Sequence, residues 1–102
     1  MKDNDTLERL IAKALELHAD SLDIEYKDSR EEVCAMRGNV GVGIASLESS
    51  SNEARTLRQR LHKICKKPAK VMVQGKTCQV KVSIYDSFGE DAYRIDLKCP
   101  NK

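Results

Sequence analysis

A chain of 102 residues with 40% apolar content is long enough for one domain, and with no Trp and few other aromatics its core falls to Leu, Ile, Val and Ala. No apolar run approaches the ~20 residues that span a bilayer, so no membrane partner is expected. The polar, acidic start Met1-Lys2-Asp3-Asn4-Asp5 lacks the pattern of a secretory signal, which places the chain in the cytoplasm.

The net charge of +2 hides a division. The first 53 residues hold twelve acids against six bases, and the remainder twelve bases against four acids. From Ala54 to Tyr85 there are nine bases and no acid. A dipole of this kind along the sequence points toward a charged partner, whether internal or external.

In chain order, Leu7, Leu10, Ile11, Ala14, Leu15 and His18 repeat at helical spacing and predict a first amphipathic helix. Asp5 and Glu8 have the spacing of a capping box at its start. Arg9, Lys13 and Glu16 fall off the stripe, on the solvated side. The period then switches to two: Leu22, Ile24 and Tyr26 alternate with Asp23, Glu25 and Lys27, a strand with one wet face. Asp28-Ser29-Arg30 is the turn before a strand over residues 32–37. Gly38-Asn39 is a hairpin signal, since both residues tolerate positive φ. Val40, Val42 and Ile44 predict a packed face on the third strand. Gly41, Gly43 and Ala45 leave its other face nearly bare, so something lies close against that backbone or the strand bends there.

Glu48 to Asn52 is a polar break, and Ser50 with Glu53 again has capping-box spacing. Ala54, Leu57, Leu61, Ile64 and Cys65 form the buried stripe of a second helix, which Lys67-Pro68 ends. Val71 and Val73 mark a fourth strand, and Gly75-Lys76 a tight turn with glycine leading. Cys78, Val80, Val82 and Ile84 alternate through a fifth strand. A longer loop over residues 86–91, around Phe88-Gly89, leads to a sixth with Tyr93, Ile95, Leu97 and Cys99, and the tail Pro100-Asn101-Lys102 is expected to fray. The order is α-β-β-β-α-β-β-β. It predicts a single α+β domain, a two-layer sandwich with both helices on one face of a mostly antiparallel sheet. The pattern leaves open whether the six strands make one sheet or two.

Little in this pattern carries chemistry. Cys34, Cys65, Cys78 and Cys99 contain no Cys-x-x-Cys spacing, and in a cytoplasmic chain with a full apolar pattern they read as free thiols rather than as a disulfide framework or a zinc site. Asp23 and Glu25 share a strand face but sit where carboxylates are solvated, so neither gains the raised pKa of a general acid. Cys65 is one helical turn from His62, but at a helix C-terminus, where the dipole disfavours a thiolate. Gly38, Gly41 and Gly43 do not precede a helix directly and lack a Walker lysine, which counts against a phosphate cradle. No cofactor, metal or catalytic residue is expected, and the chain reads as a binding module.

The basic second helix supplies the candidate surface. Arg55, Arg58, His62 and Lys66 fall on consecutive turns, with Arg60, Lys63 and Lys67 beside them and Lys70 just beyond. Such a row contacts an acidic protein surface, including that of a second copy, or the phosphates of RNA or DNA. The acids of the first half, Asp23 with Glu25 or Glu31 with Glu32, are alternative partners within the fold.

Residues 5–66, read as helix, three strands and helix, resemble the plan of double-stranded RNA-binding domains, with Gly41-x-Gly43 ahead of a helix that carries Ala54. Where that family places lysines at the start of its second helix, this chain has Ser50, Ser51, Asn52 and Glu53. The stretch Ala19-Asp20-Ser21-Leu22-Asp23-Ile24-Glu25, followed by Met36-Arg37-Gly38, is similar to the amino-terminal domain of type II secretion and type IV pilus assembly ATPases, over about residues 10–65. Leu22 and Glu25 depart from that family's Ser-Asp-Ile-His pattern, and no nucleotide-binding core follows. The resemblance implies a docking fold without ATP hydrolysis.

Overall fold

The computed structural model describes residues 5–99. Along them run α1 (Thr6–Glu16), β1 (Ser21–Lys27), β2 (Arg30–Arg37), β3 (Val40–Glu48), α2 (Asn52–Ile64), β4 (Ala69–Val73), β5 (Lys76–Ser87) and β6 (Glu90–Lys98). The fraying expected of residues 100–102 lies outside the described residues. All six strands join one antiparallel sheet in the order β3-β2-β1-β6-β5-β4. Each three-strand meander keeps its own half of the sheet, and β1 pairs with β6 to join the halves.

Both helices pack on one face of this sheet. From α1, Leu7, Leu10, Ile11 and Ala14 are buried, and from α2, Ala54, Leu57 and Leu61. They meet Leu22, Ile24, Val33, Ala35, Val71, Val80, Val82, Tyr93 and Ile95 from the strands. Helix α1 touches both edge strands, β3 and β4, as well as β1. An 11-residue helix is ~16 Å long, whereas six flat strands put their edges ~24 Å apart, so the helix lies across strands that curl toward it. Among the described residues no helix is long and apolar enough to cross a membrane.

The helix ends differ from the sequence expectation. His18 leaves the stripe: it takes φ 57°, ending α1 in a left-handed cap in which the Ala19 N–H donates to the Ala14 carbonyl. No capping box forms at either helix. Asp5 accepts from Arg9 and makes no cap, while Glu8 turns to Arg60 on α2. Helix α2 begins one residue later than expected, with the Ser51 hydroxyl accepting from the Ala54 N–H at 3.1 Å. Glu53 is drawn away to the Thr6 hydroxyl at 2.8 Å. Arg9, expected to be solvated, reaches Glu53 as well. For Glu8 and Glu53 a tertiary partner won over the local cap.

The hairpins differ too. Glycine is second, not first, in the β4–β5 turn: Gln74 and Gly75 both have positive φ, and Lys76 already belongs to β5. The expected loop over residues 86–91 is instead a two-residue turn, Phe88 at φ 53° and Gly89 at φ 85°. That turn sets the β5–β6 register and corrects the reading of the cysteines. Cys78 and Cys99 each stand ten residues from it, so they fall opposite one another, their Cα atoms 4.2 Å apart, and are joined by a disulfide. Cys34 and Cys65 are free.

Strand β3 does not present one packed row. A register shift between Val33 and Cys34 sets Ala45 opposite Val33 and Gly43 opposite Cys34, so Ile44 is an extra, bulged residue. Beyond the bulge Val40 and Val42 stay 63% and 49% exposed. The bare face is filled at one point: a Cβ on Gly41 would lie 2.7 Å from the Met36 sulfur.

Candidate functional site

An open groove of about 1140 Å³ runs between α2 and the β5–β6 hairpin, with β2 beneath. One wall is the polar side of α2, which follows from the helical spacing that sends Leu57 and Leu61 into the core. The opposite wall is Gly89, Glu90 and Asp91, placed there by the tight Phe88–Gly89 turn. Glu31 and Tyr93 form the floor.

Glu31 is only 4% exposed, on a strand position whose neighbours in the same row, Val33 and Ala35, are core residues. Its Oε2 accepts from the Ser49 hydroxyl at 2.6 Å and from Arg58 Nη1 at 3.1 Å. Its Oε1 is buried with no hydrogen-bond partner among the described residues. A carboxylate in this setting needs its cation, because burial without a partner costs several kcal/mol. Arg58 is thus part of the fold's own electrostatics.

Beside it, His62 Nε2 lies 3.1 Å from the Tyr93 hydroxyl and 3.5 Å from Asp91 Oδ2, the two rings edge to face at 5.7 Å between centroids. Burial, with Asp91 adding to it, pushes the Tyr93 phenol up to about 12. The phenol is therefore neutral across the physiological range, a hydrogen-bonding partner of His62 and not a base. The Cys65 thiol donates to the His62 backbone carbonyl at 3.2 Å, so what joins the two residues is a helix-end bond and not a thiol–imidazole pair.

The groove gathers Arg55, Arg58, His62 and Lys63 among the expected contact residues. Lys66 and Lys67 lie in the turn after α2, and Lys70 lies on β4 at the far edge of the sheet. The cations differ in their partners. Arg60 grips both oxygens of Glu8 at 2.8 and 2.6 Å and holds that carboxyl below its ordinary value, while the hydrogen bond raises Arg60 further. Lys63, Lys66, Lys67 and Lys70 make no ion pair with a described residue. With Glu31, Glu90 and Asp91 in its lining, the groove is mixed in charge; the surplus of cations lies along and past the end of α2.

Asp23 and Glu25 sit on the uncovered face of the sheet, away from the helices. Burial pushes the Asp23 carboxyl up, and Arg94 at 3.5 Å works against that. Cys34 lies opposite Asp23 on β2; burial, then Asp23 and Glu25, push its thiol up as well, which makes it a poor nucleophile at neutral pH. Among the described residues no group of three or more His, Cys, Asp and Glu is placed to hold a metal ion.

Sequence reasoning missed Phe88, Tyr93 and Asp91. Phe88 is fully exposed, at the tip of the hairpin whose next three residues form the groove wall. Its signal was the Phe88-Gly89 pair between two alternating runs, the pattern of a tight hairpin.

No protein-family model matches the chain, and no curated protein sequence matches it. What fold and site define is a two-layer α+β domain with an open groove beside its second helix.

Proposed function

We propose that this domain is a non-catalytic interaction or regulatory module that binds an acidic protein surface along the end of α2. The observation that supports this reading is the surplus of cations there, Lys63, Lys66 and Lys67, which form no ion pair with a described residue; across the groove that Lys63 lines, the β5–β6 hairpin exposes Phe88 in full at its tip. A phenylalanine held out in water at a turn is an apolar anchor, and cations on the helix across the groove select an acidic partner. Arg55 extends the cationic row toward the start of the helix.

Titrating isotope-labelled protein with a glutamate-rich peptide, and separately with duplex and single-stranded RNA and DNA, at two salt concentrations tests this. We expect the peptide to shift the amides of residues 62–67 and of Phe88 at low salt. No response to the peptide rejects the reading. A stronger response to nucleic acid, with the steeper salt dependence of phosphate contacts, replaces the partner with RNA or DNA.

We place the module in the cytoplasm. Disulfides persist in oxidising compartments and are rare in a reducing cytosol, so the state of Cys78 and Cys99 tests that placement. Alkylation of thiols in intact cells, read by mass spectrometry, decides it: free Cys78 and Cys99 keep the module in a reducing compartment in spite of the bond in the structure. A bonded pair moves the module to an oxidising compartment.

A further inference from the structure

The two edges of the sheet are defended unequally. Strand β4 is five residues long and carries Lys70, two of the devices by which edge strands avoid pairing with other chains. Strand β3 is nine residues long, and from Val40 to Leu47 it has neither charge nor proline; its one irregularity is the bulge at Ile44. An edge that pairs with no further strand among the described residues is a template for another strand, here over the stretch ahead of the bulge. The segment ahead of the bulge also sets the side chains that strand must bring. Val42, opposite Ala35, and Val40, opposite Arg37, lie in the row on the helix side, and Gly41 and Gly43 face the other way.

We propose that β3 pairs with β3 of a second copy of this chain, antiparallel about a two-fold axis at Val42, to give one continuous twelve-stranded sheet across the dimer. In this register Val42 faces its own copy, Val40 faces Ile44, and Gly41 faces Gly43. Branched side chains meet on one face and hydrogens on the other, so the strand is its own complement. The antiparallel sense also keeps the two Glu48 side chains at opposite ends, where a parallel pairing would bring them together. The ladder ends at the bulge, and Lys70 on β4 blocks the head-to-tail β3–β4 contact that would propagate into a fibre. This interface is distinct from the α2 surface and holds whatever α2 binds.

Sedimentation velocity from about 10 μM to about 1 mM, a span suited to an interface at the small end of the size scale, tests the proposal. The mass is expected to double across the range. Val42→Lys abolishes the doubling, while Met72→Lys on the other edge, where Met72 is 59% exposed, leaves it intact. Circular dichroism confirms that each variant is folded. Register is tested separately in a background with Cys34→Ser and Cys65→Ser. There Val42→Cys cross-links to itself on oxidation with diamide, and Val40→Cys does so at least tenfold more slowly. A monomer throughout, loss of assembly only with Met72→Lys, open-ended polymers, or equal cross-linking from Val40→Cys overturns it. So does loss of assembly on Lys63→Glu with Lys66→Glu, which would move the contact to the helix.

Discussion

Arg58 and Arg60 stand in the middle of α2, and Lys63, Lys66 and Lys67 stand at and just past its end, all within one acid-free run of sequence. The arginines lie over the first half of the chain and meet its carboxylates, Glu31 on β2 and Glu8 on α1. The lysines lie beyond the reach of those carboxylates and meet none among the described residues. Charge counted along a sequence therefore overstates charge available to a partner. Part of the cationic run closes the fold, Arg60 through a two-pronged grip on Glu8 and Arg58 through a single bond to the buried Glu31. The remainder, on flexible lysine stems, is what a partner would meet.

If the arginines close the fold, removing one should cost stability in proportion to how buried its acid is. Arg58→Ala leaves Glu31 buried with an uncompensated charge, and we expect a loss of about 2–3 kcal/mol in urea unfolding, below the range for fully buried pairs because Arg58 is 30% exposed. Adding Glu31→Gln to that variant should recover part of the loss. Equal stability of Arg58→Ala and the parent would show that the two cation groups do not differ.

Arg60→Ala breaks a pair whose members are both about 30% exposed, and the expected loss is smaller, about 1 kcal/mol. Its pH dependence has a definite sign. Arg60 holds the Glu8 carboxyl below its ordinary value of 4.5, so the pair contributes above that value, and its contribution is lost as the pH falls through the lowered folded-state value. The stability difference between Arg60→Ala and the parent should shrink as the pH falls below 4.5 and vanish once it is below the lowered folded-state value. Tyr93 supplies the opposite sign. Its phenol is raised to about 12, so its contribution is complete below pH 10 and disappears as the pH rises from there to about 12. An ultraviolet titration should show one of the three tyrosines ionising last, and Tyr93→Phe should remove that step.

Element order, the two helical stripes and the layer arrangement were legible in the sequence, because periods of 3.6 and 2 report which side of each element is buried. What stayed hidden was whatever depended on a partner distant in sequence. Glu8 and Glu53 had capping-box spacing, but nothing local announced that Arg60, Arg9 and Thr6 would claim them. The disulfide was closer to legible. Once Phe88-Gly89 is read as a two-residue turn, strand pairing alone brings Cys78 opposite Cys99. A six-residue loop in that place obscures the register, and with it the bond. The bulge at Ile44 left a trace in Gly41 and Gly43, though which residue would be extra depended on the pairing with β2. The groove floor was invisible for a similar reason: Glu31 reads as one more acid after a turn until its strand parity is fixed by Val33 and Ala35.

The smallest expected effect on stability bears most on function. Lys63→Ala, Lys66→Ala and Lys67→Ala together remove three charges that pair with no described residue, so unfolding free energy should change by less than about 0.5 kcal/mol. Near a helix C-terminus these cations also interact favourably with the dipole, which sets the sign of any small change as a loss. Affinity for a glutamate-rich peptide should fall steeply in the same variant and lose most of its salt dependence, since these are the cations the peptide would contact. Arg60→Ala should do the reverse, weakening the fold and leaving peptide affinity within about twofold. If the triple variant lost stability while keeping its affinity, the division of α2 into a closing segment and a contacting segment would be wrong, and the contact would have to be sought at the groove floor instead.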